Sequence, residues 1–213
     1  MANNFFNKTN RNVSADHTLP TYVYTVPTSK KTIVIELDVA NRSTSSQTIS
    51  VMIEDFTAKG SNVISTGAAI GGNTIVVNGG AAHGFTTGDV VRLTRSGSTL
   101  IRVGGVEPPT AGNNTDPVYY AIVVSATSFK LANSHANATA GTALTVTGST
   151  VTGDIWNKLA FTYIVRDAPI PIGGALKVIA GQKLVMEATD SMIVQTSSAN
   201  SVDSIASILE DVS

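Results

Sequence analysis

Not one cysteine occurs in the 213 residues. That removes disulfide frameworks, thiolate metal sites and cysteine nucleophiles together. Charge is scarce as well: 14% of residues are Asp, Glu, Lys or Arg, and the formal net charge is −1. A protein that neutralises nucleic-acid phosphates needs clustered Lys and Arg. The nearest candidates are Lys30-Lys31 and the pair Arg92 and Arg95, too sparse to make nucleic acid an expected partner. No apolar run approaches the ~20 residues of a membrane-spanning helix, so membrane insertion is not expected. The opening Met1-Ala-Asn-Asn-Phe-Phe-Asn-Lys lacks the basic-then-apolar layout of a secretory signal, and assembly in a cytoplasm is the expectation. The Asn-x-Ser/Thr triplets at Asn12 and Asn137 then read as chance matches.

Long Leu-, Glu- and Lys-rich helical stretches are missing too. Gly, Ser, Thr, Asn, Ala and Val dominate instead, a mixture suited to short strands joined by tight turns. Tyr22, Tyr24 and Val26 alternate up to Pro27. Ile33, Ile35, Leu37 and Val39 alternate with Val34, Glu36 and Asp38, which assigns the first set to one face and turns both acids outward. Ile49, Val51 and Ile53 repeat the pattern. After Lys59-Gly60 acids nearly vanish, and strands are expected at 74–77, 90–94, 118–124, 129–131 and 144–147, with a short helical turn over 133–138. Between Arg95 and Asp116 the Gly-, Pro- and Asn-rich sequence predicts a long mobile loop.

Alternation resumes with Leu159, Phe161, Tyr163 and Val165. The prolines after Asp167 predict a connection in place of a central strand. Strands follow at 176–179, 184–188 and 192–196. The last segment, Val202 to Leu209, fits either a helical stripe or a strand; a strand is chosen because it would complete a sheet. The expected fold is all-β: a β-sandwich of seven or eight strands over 18–57 plus 158–213, interrupted by a second, smaller domain inserted at 58–157. Residues 1–17 read as an N-terminal arm, either frayed or docked on a neighbouring subunit through Phe5 and Phe6.

Several stretches carry a resemblance. Tyr22-Val-Tyr-Thr-Val-Pro-Thr-Ser-Lys-Lys-Thr, Val39-Ala-Asn41 and Ile164-Val-Arg-Asp-Ala-Pro-Ile-Pro-Ile-Gly, with Lys183-Leu-Val-Met-Glu-Ala-Thr-Asp190 and Ser201-Val-Asp-Ser-Ile-Ala-Ser-Ile-Leu-Glu210, resemble small virion structural proteins of tailed bacteriophages, many from phages of aquatic bacteria. The likeness covers about half of the chain. His83-Gly-Phe-Thr-Thr-Gly-Asp-Val-Val-Arg-Leu, Tyr119-Tyr-Ala-Ile-Val-Val, Thr127-Ser-Phe-Lys-Leu-Ala132 and Ala140-Gly-Thr-Ala are similar to a small barrel common in phage structural proteins. That barrel type is named for the first catalytic-cysteine half-domain of ubiquitin-activating enzymes. The enzymatic chemistry does not carry over to a chain without cysteine.

No constellation of side chains announces catalysis. His17, His83 and His135 are the only histidines; His83, in a His-Gly-Phe turn, reads as packed or bonded to backbone in preference to a metal ligand. Glu54-Asp55 and Glu210-Asp211 are neighbours along strands and point to opposite faces, unlike the facing carboxylates of glycosidase chemistry. The glycine pairs lack a phosphate-binding Gly-x-x-x-x-Gly-Lys-Ser/Thr arrangement. Catalytic, cofactor-binding and metal-ligating residues are therefore all expected to be none. Trp156, the single tryptophan, reads as a seal at a domain junction, with a sugar-stacking ring as the alternative. Phe5, Phe6 and Trp156 are the expected partner contacts. The sequence thus suggests a non-enzymatic virion component of capsid, neck, tail or fibre that contacts other virion proteins and copies of itself. The alternative is a module that binds a host-surface glycan or receptor.

Overall fold

The computed structural model describes residues 4–56, 58, 64–65, 69–95, 101–109, 116–148 and 154–210. The strands of the first third are β1 (Asn4–Asn10), β2 (Thr21–Thr25), β3 (Thr32–Asn41), β4 (Gln47–Asp55), β5 (Ile64–Ser65), β6 (Ala69–Gly71) and β7 (Thr74–Val76). Next come β8 (Val90–Thr94), β9 (Arg102–Val103), β10 (Val118–Ser125), β11 (Ser128–Ala132), helix α1 (His135–Thr139), β12 (Val146–Thr147) and β13 (Ile155–Lys158). The chain closes with β14 (Ala160–Ile170), β15 (Ala175–Ile179), β16 (Leu184–Met186), β17 (Ser191–Thr196) and β18 (Val202–Glu210). All described pairings are antiparallel. The protein is all-β, and its one described α-helix is five residues long.

The chain divides into two compact units: Met1–Asp16, Pro20–Ala58 and Ala160–Ser213 form the first, and His17–Leu19 with Lys59–Leu159 form the second. In the first unit a five-stranded sheet runs β1-β18-β3-β15, with β16 also on β3, and a four-stranded sheet runs β14-β4-β17-β2. Val34, Leu37, Val39, Val202, Ala206 and Ile208 from the first sheet share one core with Val23, Ile49, Val51, Met192 and Val194 from the second. The ambiguous last segment is a strand because both of its edges are paired, by β1 and by β3.

Three expectations for this unit are corrected. The stretch read as an arm is in part a strand: β1 pairs with β18 of its own chain over seven positions, from Asn4↔Glu210 to Asn10↔Ser204. The partner surface it needs is thus supplied within the molecule. Residues 167–170 are no mere connection either, since β14 runs through Ala168↔Ile49 and Pro169↔Thr48 to Ile170↔Gln47. Proline is tolerated because β14 is an edge strand, and Asp167 takes up the register shift with φ 51. Finally, Ile33 and Ile35 do not share a face with Leu37. The β3–β18 register passes from Ile208↔Val34 to Ser207↔Glu36, leaving Ile35 as an extra residue. Such a bulge shifts the alternation by one, so Thr32, Val34, Leu37, Val39 and Asn41 are buried while Ile33 turns out.

After β3 the chain turns on Asn41, whose amide donates to Ile170 O and Pro171 O, both at 3.1 Å, and to Ser45 O at 2.8 Å. Gly174 is required beside it, because a Cβ there would stand 2.9 Å from the Pro171 ring.

In the second unit a seven-stranded sheet runs β5-β13-β8-β10-β11-β7-β6, and β9 pairs with β12. Its outermost strands are neighbours in sequence: four residue steps separate Ser65 from Ala69. Four steps reach at most about 14 Å, whereas a flat sheet would hold its outer strands about 29 Å apart. The sheet is therefore strongly curled. Its inner face carries Val91, Leu93, Tyr119, Ala121, Phe129, Leu131 and Trp156, joined by Ile101, Val103 and Val146.

Tyr120 and Ile122 lie on the opposite face of β10, where the His135 ring of α1 meets Tyr120 edge-on at 6.4 Å. Both faces of β10 are apolar, and alternation could not choose between them. The expected loop between Arg95 and Asp116 is partly strand: β9 places Val103 in the core beside Ile101. Residues 96–100 and 110–115 of that expectation lie outside the described residues. The second unit also takes in His17–Leu19, where Thr18 O accepts from Val118 N–H at 2.9 Å.

Each unit has its own core, so damage should stay local. Leu37→Ala, at a fully buried first-unit position, should cost about 2–5 kcal/mol. Its loss of amide-exchange protection should be confined to the strands of the first unit. Phe129→Ala should do the converse, and protection lost across both units from either change would contradict separate cores.

Candidate functional site

The residues singled out from sequence come to rest in scaffold roles. His83 is 2% exposed and stacks among Phe85 and Phe129 at 5.1 and 5.4 Å. Its Nδ1 accepts from Phe85 N–H at 2.9 Å, which leaves Nε2–H to donate to Ser125 O at 2.8 Å and Ser128 O at 3.3 Å. Both ring nitrogens are spent on backbone. Asp89 accepts from Thr86 N–H at 2.7 Å and pairs with Lys158 at 2.7 Å, closing the turn that launches β8. Asp190 accepts from Glu187 N–H at 2.9 Å and Phe56 N–H at 3.1 Å, fixing the turn before β17.

Glu54 is buried and accepts from the Tyr22 hydroxyl at 3.2 Å, while Asp55 accepts from Ala58 N–H at 2.9 Å. The two carboxylates do not converge. Asp211 lies outside the described residues. Among the described residues no group of three or more His, Asp or Glu is arranged to hold a metal ion, and no helix is long and apolar enough to cross a membrane.

The four basic residues singled out from the sequence are also committed. Arg92 and Arg95 are buried at 3% and 5% exposure, and Arg95 Nη1 donates to Glu107 at 2.9 Å and Pro108 O at 2.6 Å. Lys30 and Lys31 pair with Glu210 and Glu187 at 2.6 and 3.2 Å.

Of the three expected contacts, Trp156 is corrected outright. It is 1% exposed in the second core, with Phe129 and Tyr119 edge-on at 5.8 and 6.1 Å. An indole enclosed this way neither stacks on a sugar nor meets a partner. Phe5 and Phe6 part company because neighbours on a strand face opposite ways. Phe6 packs on the first core, edge-to-face with Tyr24 at 6.0 Å, whereas Phe5 is 61% exposed.

Phe5 does not stand alone. It is opposite Leu209, Leu209 is opposite Ile33, and Ile33 is opposite Val185. Their chain neighbours Phe6, Ile208, Val34 and Met186 all belong to the core side, so these four side chains emerge together on the outer face of the five-stranded sheet. The row crosses β1, β18, β3 and β16, about 14 Å at the usual strand spacing, and Val185 is 60% exposed. An antiparallel sheet with one solvated face normally makes that face polar. Sequence reasoning missed Ile33, Leu209 and Val185; the signal was the unbroken apolar run Ile33-Val34-Ile35, too apolar for one buried face alone.

A polar lock closes the same end of the first core. Tyr24 on β2 donates to Glu210 on β18 at 2.7 Å, and Lys30 holds the other carboxylate oxygen. Lys30, and after it the Tyr24 hydroxyl, hold the Glu210 carboxyl below the ordinary carboxylate range. Burial, partly offset by the Thr32 hydroxyl and reinforced by Glu210, raises the Tyr24 phenol.

No family model, curated protein or solved structure matches the chain.

The lock has a pH signature. A carboxyl held below its unfolded value adds stability above that value, and the gain vanishes as pH falls through the folded one. Glu210→Gln keeps an acceptor for Tyr24 but loses the charge. It should therefore be less stable than the natural protein at about pH 7, with the gap closing toward about pH 3. Urea midpoints at both values check this; a gap that stays constant would remove the charge from the account.

Proposed function

We propose that this chain is a non-enzymatic structural component of a tailed-bacteriophage particle, a β-sandwich carrying an inserted small barrel, which assembles with copies of itself and other virion proteins. The observation that carries the reading is the row Phe5–Leu209–Ile33–Val185 on a sheet face that would be polar in a protein working alone. A row of this kind suits repeated contacts between subunits of a symmetric assembly. Two sheets over one core support the sandwich, and the curl forced on the seven-stranded sheet supports the barrel. The resemblance of the flanking stretches to virion proteins supplies the setting, with assembly in the host cytoplasm before incorporation. The alternative, glycan recognition, loses its one tryptophan to the second core.

Phe5→Ser combined with Val185→Ser tests the row. Both side chains are more than half exposed, so stability should stay within about 0.5 kcal/mol of the natural protein. Incorporation, counted by mass spectrometry of purified particles, should fall severalfold. Undiminished incorporation of the folded double variant would sink the reading.

A further inference from the structure

We infer that β1 is an exchangeable strand, able to leave β18 of its own chain and take the same seven-residue register on β18 of a second copy. The basis is the way β1 is held. Its burial is slight: of Asn4–Asn10 only Phe6 and Asn10 are even partly covered, and the other five residues are exposed. What fixes it is the main-chain ladder from Asn4↔Glu210 to Asn10↔Ser204, and a ladder is indifferent to which molecule supplies the strand.

The chain is anchored immediately afterwards. Val13 is fully buried and its N–H donates to Val202 O at 3.0 Å, while Ser14 O accepts from Thr196 N–H at 3.1 Å. Between the strand and this anchor stand only Arg11 and Asn12. Asn12 has φ 62, a left-handed conformation that an extended hinge would not need. A short hinge under such strain invites exchange. Its restraints are exposed polar contacts: Asn12 N–H to Asp203 at 3.3 Å, the Arg42 guanidinium to Asn12 Oδ1, and the Arg42–Asp203 pair at 3.1 Å. Contacts of this kind hold weakly in water.

The vacated edge selects its occupant. Beside β18 a second strand must set an aromatic ring edge-on to Tyr24, where Phe6 now sits at 6.0 Å. Another copy's β1 meets that demand in register. Exchange therefore joins identical chains at no cost in contacts, and rises with concentration against the intramolecular pairing.

The absence of cysteine makes the test clean. Asn7 and Ser207 are directly opposite, so β1 of an Asn7→Cys chain lying on β18 of a Ser207→Cys chain brings the two thiols together for a mixed disulfide. Asn7→Cys mixed with Ala175→Cys, exposed on the far edge strand β15, reports chance collision. After incubation at high concentration and mild oxidation, the in-register heterodimer should exceed the collision pair severalfold on a non-reducing gel. Added to the Asn7→Cys chain, Asn12→Val should raise the yield, because a β-branched residue resists the left-handed region, and Asn12→Gly should lower it. Circular dichroism confirms that each variant is folded. A heterodimer yield no greater than collision, or one unmoved by both Asn12 changes, overturns the exchange. The readout uses free protein, so it fails or succeeds independently of incorporation into a particle.

Discussion

The first unit depends on one strand pairing above the others: β18 lies between β1 and β3 and is bonded to both. Alternate residues on a strand face opposite ways, so the register that buries Val202, Ser204, Ala206, Ile208 and Glu210 must present Asp203, Ile205, Ser207 and Leu209 outward. Slipping β18 by one residue would exchange these sets and put Asp203 into the core. The same register sends Phe6 inward and Phe5 outward, because each ring follows the β18 residue opposite it. Core, outer row and lock are consequences of a single alignment.

Polar bonds then stitch the two sheets at places where apolar packing would not discriminate. Tyr24 of the four-stranded sheet reaches Glu210 of the five-stranded one, and Asn41 at the end of β3 reaches the carbonyls at the end of β14. Buried groups of this kind cost energy unless satisfied. Here each donor has an acceptor, so the bonds fix one relative placement of the sheets. The second unit solves the same problem with rings: His83 and Phe85 each meet Phe129 edge-on, Phe129 meets Trp156 and Trp156 meets Tyr119 in the same way, geometries that aromatic quadrupoles favour. His83 joins them as a ring whose two nitrogens tie two turns through backbone bonds.

Several charged and polar side chains serve internal geometry, while a few large apolar ones stay outside. Arg92 and Arg95 are buried, and Lys30 and Lys31 are neutralised. The outer face of the first unit carries the row from Phe5 to Val185, with the lightly held β1 at its edge. The row and the strand are adjacent, since β1 contributes the first residue of the row. An exchange of β1 would carry Phe5 onto the row of the neighbouring copy.

The sequence by itself determined the all-β class and most strand positions, because these depend on local propensity and period. It could not determine which way Ile33, Tyr120 or Trp156 faces. Ile33 is turned out by a bulge that exists only because β18 pairs across it. Tyr120 sits on a strand apolar on both sides, where only α1 decides what covers it. Trp156 is enclosed by rings from residues 119 and 129, distant in the chain. Nor could Phe5 and Phe6 be separated before a partner strand fixed the faces of β1. Propensity is written residue by residue, whereas facing and burial are properties of pairs brought together by the fold, and only the tertiary structure decided them.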